Sequence, residues 1–411
     1  MRCRGRGPPL RSVGAALQAV LDRAATGSVG RVADYIPELA TVDPARRGIA
    51  VASVRGQIHV AGDVDVPFTL QSVSKPFVYA LVAAEMGVEA VARHVGFEPS
   101  GEPFNAISLE PGTGRPANPM INAGAIVTAA LVAGSGPADS SARLVAALSA
   151  FAGRELSVDE RVYASESATG DRNRALAHLM RAAGVLTRPV EDAVEVYFRQ
   201  CAVLADARDL AVMGATLANG GVNPLTGVPV VSAAIARHTL AVMTGCGMYD
   251  HAGEWLVRVG LPAKGGVAGG IVAVQPAQVG IGVYSPPLDR WGNSALGVAA
   301  LTALSQEYDL HVLTHRRTAG LPVVADHVDD RGGRTLTLQG ELDFVAVEQI
   351  LHTLATAAEG RARLRVDVRR VTVAGTAARR MLTAALADLA TTGVEVTVTD
   401  PGGMLGVDEN R

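Results

Sequence analysis

The spacing of hydrophobic positions changes along the chain, and each change predicts a different kind of element. Residues 49–54 and 57–61 are rich in β-branched side chains and flank Arg55-Gly56, which predicts a β-hairpin. From Leu81 to about Gly220 the pattern is mainly helical, with Ala and Leu faces. The N-terminal half of the chain is therefore predicted to pass from strands into a long helical region.

Strand patterns return after this helical region. Residues 265–275 and 278–284 are predicted to form an antiparallel pair, and a helix is expected to open near Asn293-Ser294. Strands at both ends and helices between them predict an α/β fold. We expect an antiparallel sheet flanked by helices, with an inserted helical lobe.

Two polar segments interrupt the helical region, at 112–124 and 162–174. Both are rich in amide, hydroxyl and acidic side chains, and both are predicted to be irregular loops. Loops of this composition facing apolar helices are typical places for binding groups.

The composition shifts after Leu310, where a basic, aperiodic stretch predicts a linker. Beyond it, strand and helix patterns alternate, which predicts a small α/β domain with βαβ units. The predicted elements are a strand at 334–338, a helix at 346–357, a strand at 364–368, a helix at 376–389 and a strand at 394–398. The predicted organisation is an N-terminal leader and helix (1–27), a main domain (28–310), a linker (311–320) and the small domain (321–411).

Composition narrows the class of protein. The 411 residues suffice for about two or three domains. A hydrophobic content of 48% with a net charge of −3 favours a globular protein and gives no sign of a nucleic-acid surface. The Arg-rich start lacks the apolar core of a signal peptide, and no run of about 18 apolar residues exists. Cys3, Cys201 and Cys246 are too far apart to predict a disulfide framework or a zinc site. We expect a soluble, cytoplasmic protein.

The first candidate catalytic residues are Ser72 and Lys75, which lie where a polar segment becomes an apolar helical run. Residues at i and i+3 share a helix face, so the hydroxyl and the amine can meet there. Burial lowers the pKa of a lysine and lets it accept a proton from serine. Pro76 fits only in the first turn of a helix, so the helix must begin at or near Ser72. Alone, this spacing is more typical of a helix cap with a surface lysine.

Candidate partners for Ser72 follow it in other segments. A Ser-x-x-Lys pair, a later polar loop and a Lys-x-Gly strand edge, in this order, form the layout of the serine β-lactamase and penicillin-binding-protein fold. The candidates are Tyr35, Asn118, Asn122, Glu166, Asn173, Tyr197, Tyr249 and Lys264. Without this context, the tyrosines would be core residues and Asn118 a turn residue before Pro119.

From about Gly30 to Leu304 the chain more closely resembles the bacterial-type glutaminases. The segments that carry the resemblance are Val32–Ala40, Gln71–Lys75, Asn118–Ile126, Gly170–Asn173, Tyr197–Cys201, Gly247–Asp250, Gly260–Lys264 and Gly292–Ser294. The resemblance implies hydrolysis of L-glutamine to L-glutamate and ammonia through a glutamyl-serine ester, with no metal or organic cofactor. It also implies a homodimer or homotetramer.

The resemblance assigns roles to the candidates. Ser72 is the expected nucleophile, Lys75 its base and Tyr249 the proton relay to the leaving ammonia. Backbone N–H groups of Ser72 and Val267 are the expected oxyanion donors. Lys264 is expected to supply positive charge and orientation. The remaining expected substrate contacts are Glu166 for the ammonium, with Tyr35, Asn122, Asn173 and Tyr197, besides Tyr249, for the carboxylate and side-chain amide.

One position departs from the family pattern. Glutaminases usually have Lys-Ser-Gly at the strand edge, whereas this chain has Lys264-Gly265-Gly266. The missing hydroxyl removes a polar group near the site, and the additional glycine loosens the strand. We expect reduced turnover or a shifted affinity, without loss of function.

The small C-terminal domain resembles a STAS domain through Leu336–Asp343 and Val366–Val373. In antagonist members of that family a serine before the following helix is phosphorylated; here Gly375 occupies its place, with Thr376 next to it. A docking or regulatory module with a protein partner is expected. Two alternatives remain: a penicillin-interactive or β-lactamase-like acyl hydrolase, and a non-catalytic regulator acting through the STAS-like domain.

Overall fold

The structure is a computed structural model that describes residues 11–34, 36–102, 109–314, 322–328, 333–359 and 362–405. Leu21–Ala303 form one compact unit; the described parts of Met1–Val20 and Leu304–Arg411 form the second. None of the described helices combines the length and apolar composition required to span a membrane.

The described secondary structure consists of helices and strands whose bounds follow in chain order. The helices are α1 (Arg11–Ala25), α2 (Pro37–Ala40), α3 (Lys75–Met86), α4 (Val88–Ala92), α5 (Asn122–Leu131), α6 (Pro137–Ala152), α7 (Glu160–Thr169), α8 (Asp171–Ala182), α9 (Val190–Cys201), α10 (Ala207–Ala218), α11 (Ala233–Cys246), α12 (Ala252–Arg258), α13 (Ala295–Tyr308), α14 (Phe344–Ala358) and α15 (Thr376–Thr391). The strands are β1 (Gly48–Ser53), β2 (Ile58–Gly62), β3 (Phe68–Thr69), β4 (Leu204–Ala205), β5 (Ala263–Gly265), β6 (Gly270–Gln275), β7 (Val279–Tyr284), β8 (Val323–Val328), β9 (Arg334–Leu342), β10 (Arg363–Ala374) and β11 (Glu395–Thr399).

The larger unit contains an antiparallel sheet in the order β2-β1-β7-β6-β5. Every residue of β1, β6 and β7 is buried, so this sheet is covered on both faces. Helix α10 lies directly on β7 because two strand glycines leave room for its backbone. A Cβ at Gly280 would stand 2.1 Å from the Ala215 nitrogen, and one at Gly282 would stand 2.1 Å from the Ala207 oxygen. Helices α3, α5, α6, α8 and α9 pack on one another as the helical lobe. The predicted fold class is confirmed.

The sequence prediction was wrong for 162–174, which is helical and not an irregular loop. Asp159 begins α7 by accepting hydrogen bonds from the N–H groups of Arg161 and Val162. Gly170 separates α7 from α8, and a side chain there would collide with the Phe198 ring, 2.3 Å from a Cβ. The segment is polar because much of both helices is exposed to solvent, and composition alone did not distinguish this from a loop.

The predicted antiparallel pairing of 265–275 with 278–284 is confirmed by β6 and β7, but the first strand is shorter than predicted. The segment begins with the last residue of β5 and continues into a tight turn, in which the Gly266 N–H donates to the Gly270 carbonyl oxygen (2.9 Å), before β6 begins. Gly269 has a φ of +96°, a conformation that favours glycine. The turn thus places Val267 between two paired strands, at the edge where the site lies.

The described part of the C-terminal segment contains a mixed sheet in the order β11-β10-β9-β8. Strand β10 is parallel to β9 and β11, as the predicted βαβ units require, and α14 and α15 supply the connections. Strand β8 pairs antiparallel with β9 and was missing from the sequence prediction. Most of its side chains are exposed, so it lacks a strong hydrophobic pattern.

A buried histidine in β2 gives the larger unit a predicted acid sensitivity. His59 is 8% exposed, and its Nε2 atom has no hydrogen-bond partner among the described residues. Burial lowers the pKa of His59 from 6.5 to about 4. Only the unfolded chain takes up this proton between these pH values, so the free energy of unfolding should fall as the pH falls from 6.5 to 4, by up to about 3 kcal/mol.

Chemical denaturation of the wild type and of His59→Gln across this pH range measures the effect. The variant should lose this part of the pH dependence. The exposed His178 offers a matched control, since His178→Gln should keep it. Equal pH dependence in the wild type and His59→Gln would contradict the prediction.

Candidate active site

Ser72 lies in a short 3-10 helix, Gln71–Ser74, that leads directly into α3. Pro76 occupies the first turn of α3, where its missing N–H breaks no helical hydrogen bond. The predicted start of the helix near Ser72 is confirmed. Ser72 is 6% exposed and lines a cavity.

The residue before the nucleophile candidate has an unusual backbone. Gln71 has a φ of +49°, which is uncommon for a residue with a side chain and costs free energy. Its Nε2 donates to Glu166 Oε1 at 2.5 Å and to Thr69 Oγ1 at 3.3 Å. Sequence reasoning missed Gln71; its place within the Gln-Ser-x-x-Lys segment was the available signal.

Lys75 is fully buried at the start of α3. Its Nζ donates to Asn122 Oδ1 at 2.7 Å and to the Met120 carbonyl oxygen at 3.3 Å. Desolvation lowers the pKa of Lys75 from 10.5 to about 8, although the acidic groups of Cys201 and Glu166 partly oppose the shift. A substantial fraction of this amine is therefore neutral near physiological pH and can accept a proton.

Tyr249 connects Ser72 to the edge of the sheet. Its hydroxyl donates to the Gly265 carbonyl oxygen at 3.1 Å and is also hydrogen-bonded to the Ser72 side chain. Burial raises the pKa of Tyr249, so the phenol stays protonated. Its φ of +60° is a second uncommon conformation next to the nucleophile candidate.

Lys264 lies behind Tyr249. Its Nζ donates to the Gly265 carbonyl oxygen at 2.7 Å and lies 3.7 Å from the centroid of the Tyr249 ring. Desolvation, and then the charge of Lys75, hold the pKa of Lys264 well below its usual range. This shift opposes the positive charge expected from the sequence, whereas both contacts fit the expected orienting role.

The cavity above Ser72 has a volume of about 270 Å³. The sequence-predicted residues in its wall are Ser72, Asn122, Glu166, Asn173, Tyr197 and Val267. Tyr35 lies outside the described residues. The wall also contains residues that the sequence analysis did not assign to it: Ile36, Gln71, Thr169, Gly170, Arg172 and Cys201.

Glu166 supplies a buried acid to this cavity. It is 7% exposed, and burial raises its pKa from 4.5 to about 8, against the opposing effects of the Gln71 hydrogen bond and the Lys75 charge. A buried carboxyl group of this kind gains a great deal from a cationic partner. It is therefore suited to bind an ammonium group.

Two amides connect the base candidate to the cavity wall. Asn122, the first residue of α5, accepts from Lys75, and its Nδ2 donates to Asn173 Oδ1 on α8 at 3.2 Å. The Lys75–Asn122–Asn173 chain therefore fixes both amides and leaves further hydrogen-bonding capacity on each.

Cys201 lies in the same cavity wall. Burial raises the pKa of its thiol, which is hydrogen-bonded to Tyr197.

A larger groove of about 820 Å³ lies along α6 and contains none of the sequence-predicted residues. Its wall combines small and apolar side chains with Glu155, Glu195 and Arg199, and it carries no nucleophile beside a base of lowered pKa. The smaller cavity is therefore the candidate active site.

The antiparallel sheet, the helical lobe and the Ser-x-x-Lys pair at the start of α3 together define the β-lactamase-like architecture. A glutaminase family model matches residues 30–313, and a STAS domain model matches residues 324–406. The chain belongs to the glutaminase family and carries a C-terminal STAS domain, as the resemblance predicted.

Relatives place the chain among bacterial glutaminases. A glutaminase of Corynebacterium glutamicum is 42% identical over 391 residues, with 95% of this chain and 94% of the relative covered. Glutaminase 1 of Bradyrhizobium diazoefficiens is 45% identical over 406 residues, with 93% of this chain covered. The chain spans 65% of the length of that relative and 58% of Glutaminase 2 from the same organism.

Solved structures show the same architecture. The structure of Mglu in its glutamate form has a TM-score of 0.73 and 40% identity, with 98% of this chain and 99% of that chain covered. A Bacillus glutaminase has a TM-score of 0.67 and 33% identity, with 73% of this chain and 100% of that chain covered.

Proposed function

We propose that the protein is a glutaminase that hydrolyses L-glutamine to L-glutamate and ammonia through a glutamyl ester on Ser72. The observation that carries the proposal is the buried Ser72–Tyr249 hydrogen bond, three residues before the buried Lys75, with Ser72 in the wall of a cavity that also contains Glu166. Membership of the glutaminase family and a likeness to Mglu in its glutamate form support it.

The chemistry begins with attack of Ser72 Oγ on the side-chain amide carbon of glutamine. Lys75, whose pKa of about 8 keeps part of it neutral, takes the serine proton. Backbone N–H groups of Ser72 and Val267 would stabilise the oxyanion. The carbon–nitrogen bond then breaks, and a proton delivered through the Tyr249 hydroxyl leaves with ammonia. Water hydrolyses the ester, which releases glutamate and restores the serine.

Different residues of the cavity wall bind different groups of the free amino acid. Glu166 binds the α-ammonium group, and Asn122, Asn173 and Tyr197 offer amide and hydroxyl groups to the carboxylate and the side-chain amide. A site built on such hydrogen bonds rejects analogues that lack a partner by large factors. The buried acid favours a free amino acid over a lactam, so glutamine hydrolysis is preferred to the alternative acyl hydrolase.

The test measures ammonia and glutamate released from glutamine by the full chain, with benzylpenicillin as the competing substrate. We expect equimolar ammonia and glutamate and no lactam hydrolysis. Peptide mass spectrometry after an acid quench should find the glutamyl ester on Ser72. Lactam hydrolysis without ammonia release would refute the proposal, as would an ester on another residue.

The role proposed for Glu166 makes a separate prediction. Glu166→Gln keeps the shape of the side chain and removes its charge, so it should raise KM for glutamine by about 10-fold to 100-fold, the value of a hydrogen bond to a charged group. Steady-state kinetics at pH 8.5 or above, where about half or more of Glu166 is ionised, measure this effect. An unchanged KM would refute the ammonium contact.

Quaternary structure, location and the STAS domain complete the proposal. The resemblance supports a homodimer or homotetramer, which light scattering of the full chain would distinguish from a monomer. A cytoplasmic location is proposed on the same basis. The STAS domain is proposed to be a docking or regulatory module for a protein partner.

A further inference from the structure

Asn293 is a fully buried asparagine at the edge of the candidate active site. Neither Oδ1 nor Nδ2 of its side chain has a hydrogen-bond partner among the described residues. Nearly all buried amides in folded proteins are hydrogen-bonded, and an unpaired one reduces stability. A chain with an apolar residue of the same shape at 293 would be at least as stable. The stability of the fold therefore does not explain why this residue is asparagine.

The backbone around Asn293 fixes the direction of its side chain. The Asn293 N–H donates to Asp289 Oδ1 at 3.0 Å, and the Asn293 carbonyl oxygen accepts from the Asp289 N–H at 2.7 Å. The next residue is anchored as well, because Ser294 Oγ donates to the Ser285 carbonyl oxygen at 2.8 Å. The amide is therefore held by a rigid loop.

This amide points at Gly265. A Cβ on Gly265 would stand 2.2 Å from Asn293 Oδ1 and 3.2 Å from Asn293 Cγ, which is too close for a real side chain. The φ of Gly265 is not positive, so its backbone conformation does not require glycine. It is the close approach of Asn293 that requires glycine at this position.

Gly265 is also where the catalytic candidates are held. Its carbonyl oxygen accepts from the Tyr249 hydroxyl at 3.1 Å and from Lys264 Nζ at 2.7 Å. Any shift of this peptide moves Tyr249 relative to Ser72. The group that packs on Gly265 therefore controls the geometry of the proton path.

We propose that Gly265 and Asn293 form a matched pair, in which Asn293 is a positioning residue for Tyr249 and Lys264. Because Gly265 has no side chain, the Asn293 amide can pack against its backbone. This amide is then the polar group at this strand edge. The positioning role rests on the proposed glutamine hydrolysis; the steric pairing does not. The steric pairing also implies that a serine at 265 would fit only if the Asn293 side chain moved.

The steric pairing is tested by a double-mutant cycle on thermal unfolding. Gly265→Ala should lower the unfolding midpoint in the wild type but not in Asn293→Ala, where the space has been opened. Gly245→Ala is the matched control, because a Cβ there has nothing within 4 Å; its midpoint should not fall. Equal effects of Gly265→Ala in both backgrounds would overturn the pairing.

The positioning role is tested with Asn293→Leu, which keeps the branched shape and removes both polar atoms. We expect kcat for glutamine to fall about 10-fold to 100-fold, as small misplacements in active sites do. KM should stay within about twofold, because Asn293 is not in the cavity wall. The unfolding midpoint should be unchanged or higher. Wild-type kcat in Asn293→Leu would overturn the positioning role.

These experiments distinguish a failure of the proposed glutamine hydrolysis from a failure of the steric pairing. A wild-type protein that releases no ammonia from glutamine would refute glutamine hydrolysis and, with it, the positioning role. The unfolding cycle needs no substrate, so it would still decide the steric pairing.

Discussion

Ser72→Ala should reduce kcat for glutamine by about 10⁴-fold or more, the scale seen when a nucleophile of an acyl-transfer enzyme is removed. The hydroxyl is the atom that would form the ester. Among the described residues, the other aliphatic hydroxyl in the cavity wall is that of Thr169, which donates to the Ser165 carbonyl oxygen at 2.8 Å. The loss should appear in kcat, because the substrate contacts proposed for Glu166, Asn122 and Asn173 remain in place.

A matched control separates chemistry from folding in this experiment. Ser141 on α6 is also a buried serine, but it lies in the wall of the larger groove, and its Oγ has no hydrogen-bond partner among the described residues. Ser141→Ala should therefore keep both activity and the unfolding midpoint. Comparable turnover in Ser72→Ala and the wild type would refute the proposed nucleophile.

Lys75→Met should reduce kcat by about 10³-fold, within the range for removal of a general base. In the wild type, the neutral amine is the form proposed to act as the base, and the pKa of Lys75 is about 8. The value of kcat/KM, which reports the ionisation of the free enzyme, should therefore be low at acidic pH, rise about tenfold or more per pH unit below 8 and reach a plateau above it. A value of kcat/KM that is flat between pH 6 and 9 would contradict the role of Lys75.

Glu166 allows a second check on this assignment. Its negative charge raises the pKa of Lys75, so Glu166→Gln should move the rising limb of the kcat/KM profile to lower pH. The wild-type limb should also be steeper than the limb of Glu166→Gln, because Glu166 itself has a pKa of about 8 and is proposed to bind the ammonium group when ionised. An unmoved limb in Glu166→Gln would show that the rising limb belongs to another group.

The elements nearest the nucleophile could be predicted from local sequence. Pro76 allowed only one start for α3, and the spacing of Ser72 and Lys75 placed both at that start. The hairpin at 49–61 followed from its β-branched arms and its Arg-Gly turn. These features depend on a few neighbouring residues, which is why the pattern sufficed.

The remaining features depend on contacts between distant parts of the chain. Gln71 bonds Glu166, 95 positions away, and nothing in either segment predicts that distance. The pairing of Gly265 with Asn293 is equally invisible, because a glycine in a sequence does not show which side chain has taken its space. The helical structure of residues 162–174 was missed because solvent-facing helices and loops share a polar composition.

Gln71 and Tyr249 both have positive φ values and contact or adjoin Ser72. Backbones of this kind are kept where the surrounding structure holds them, and they lower the stability of the fold. A selection that scores heat tolerance alone would treat both positions as defects and replace them with glycine or asparagine. Engineering this protein for durability therefore requires a turnover measurement at every round.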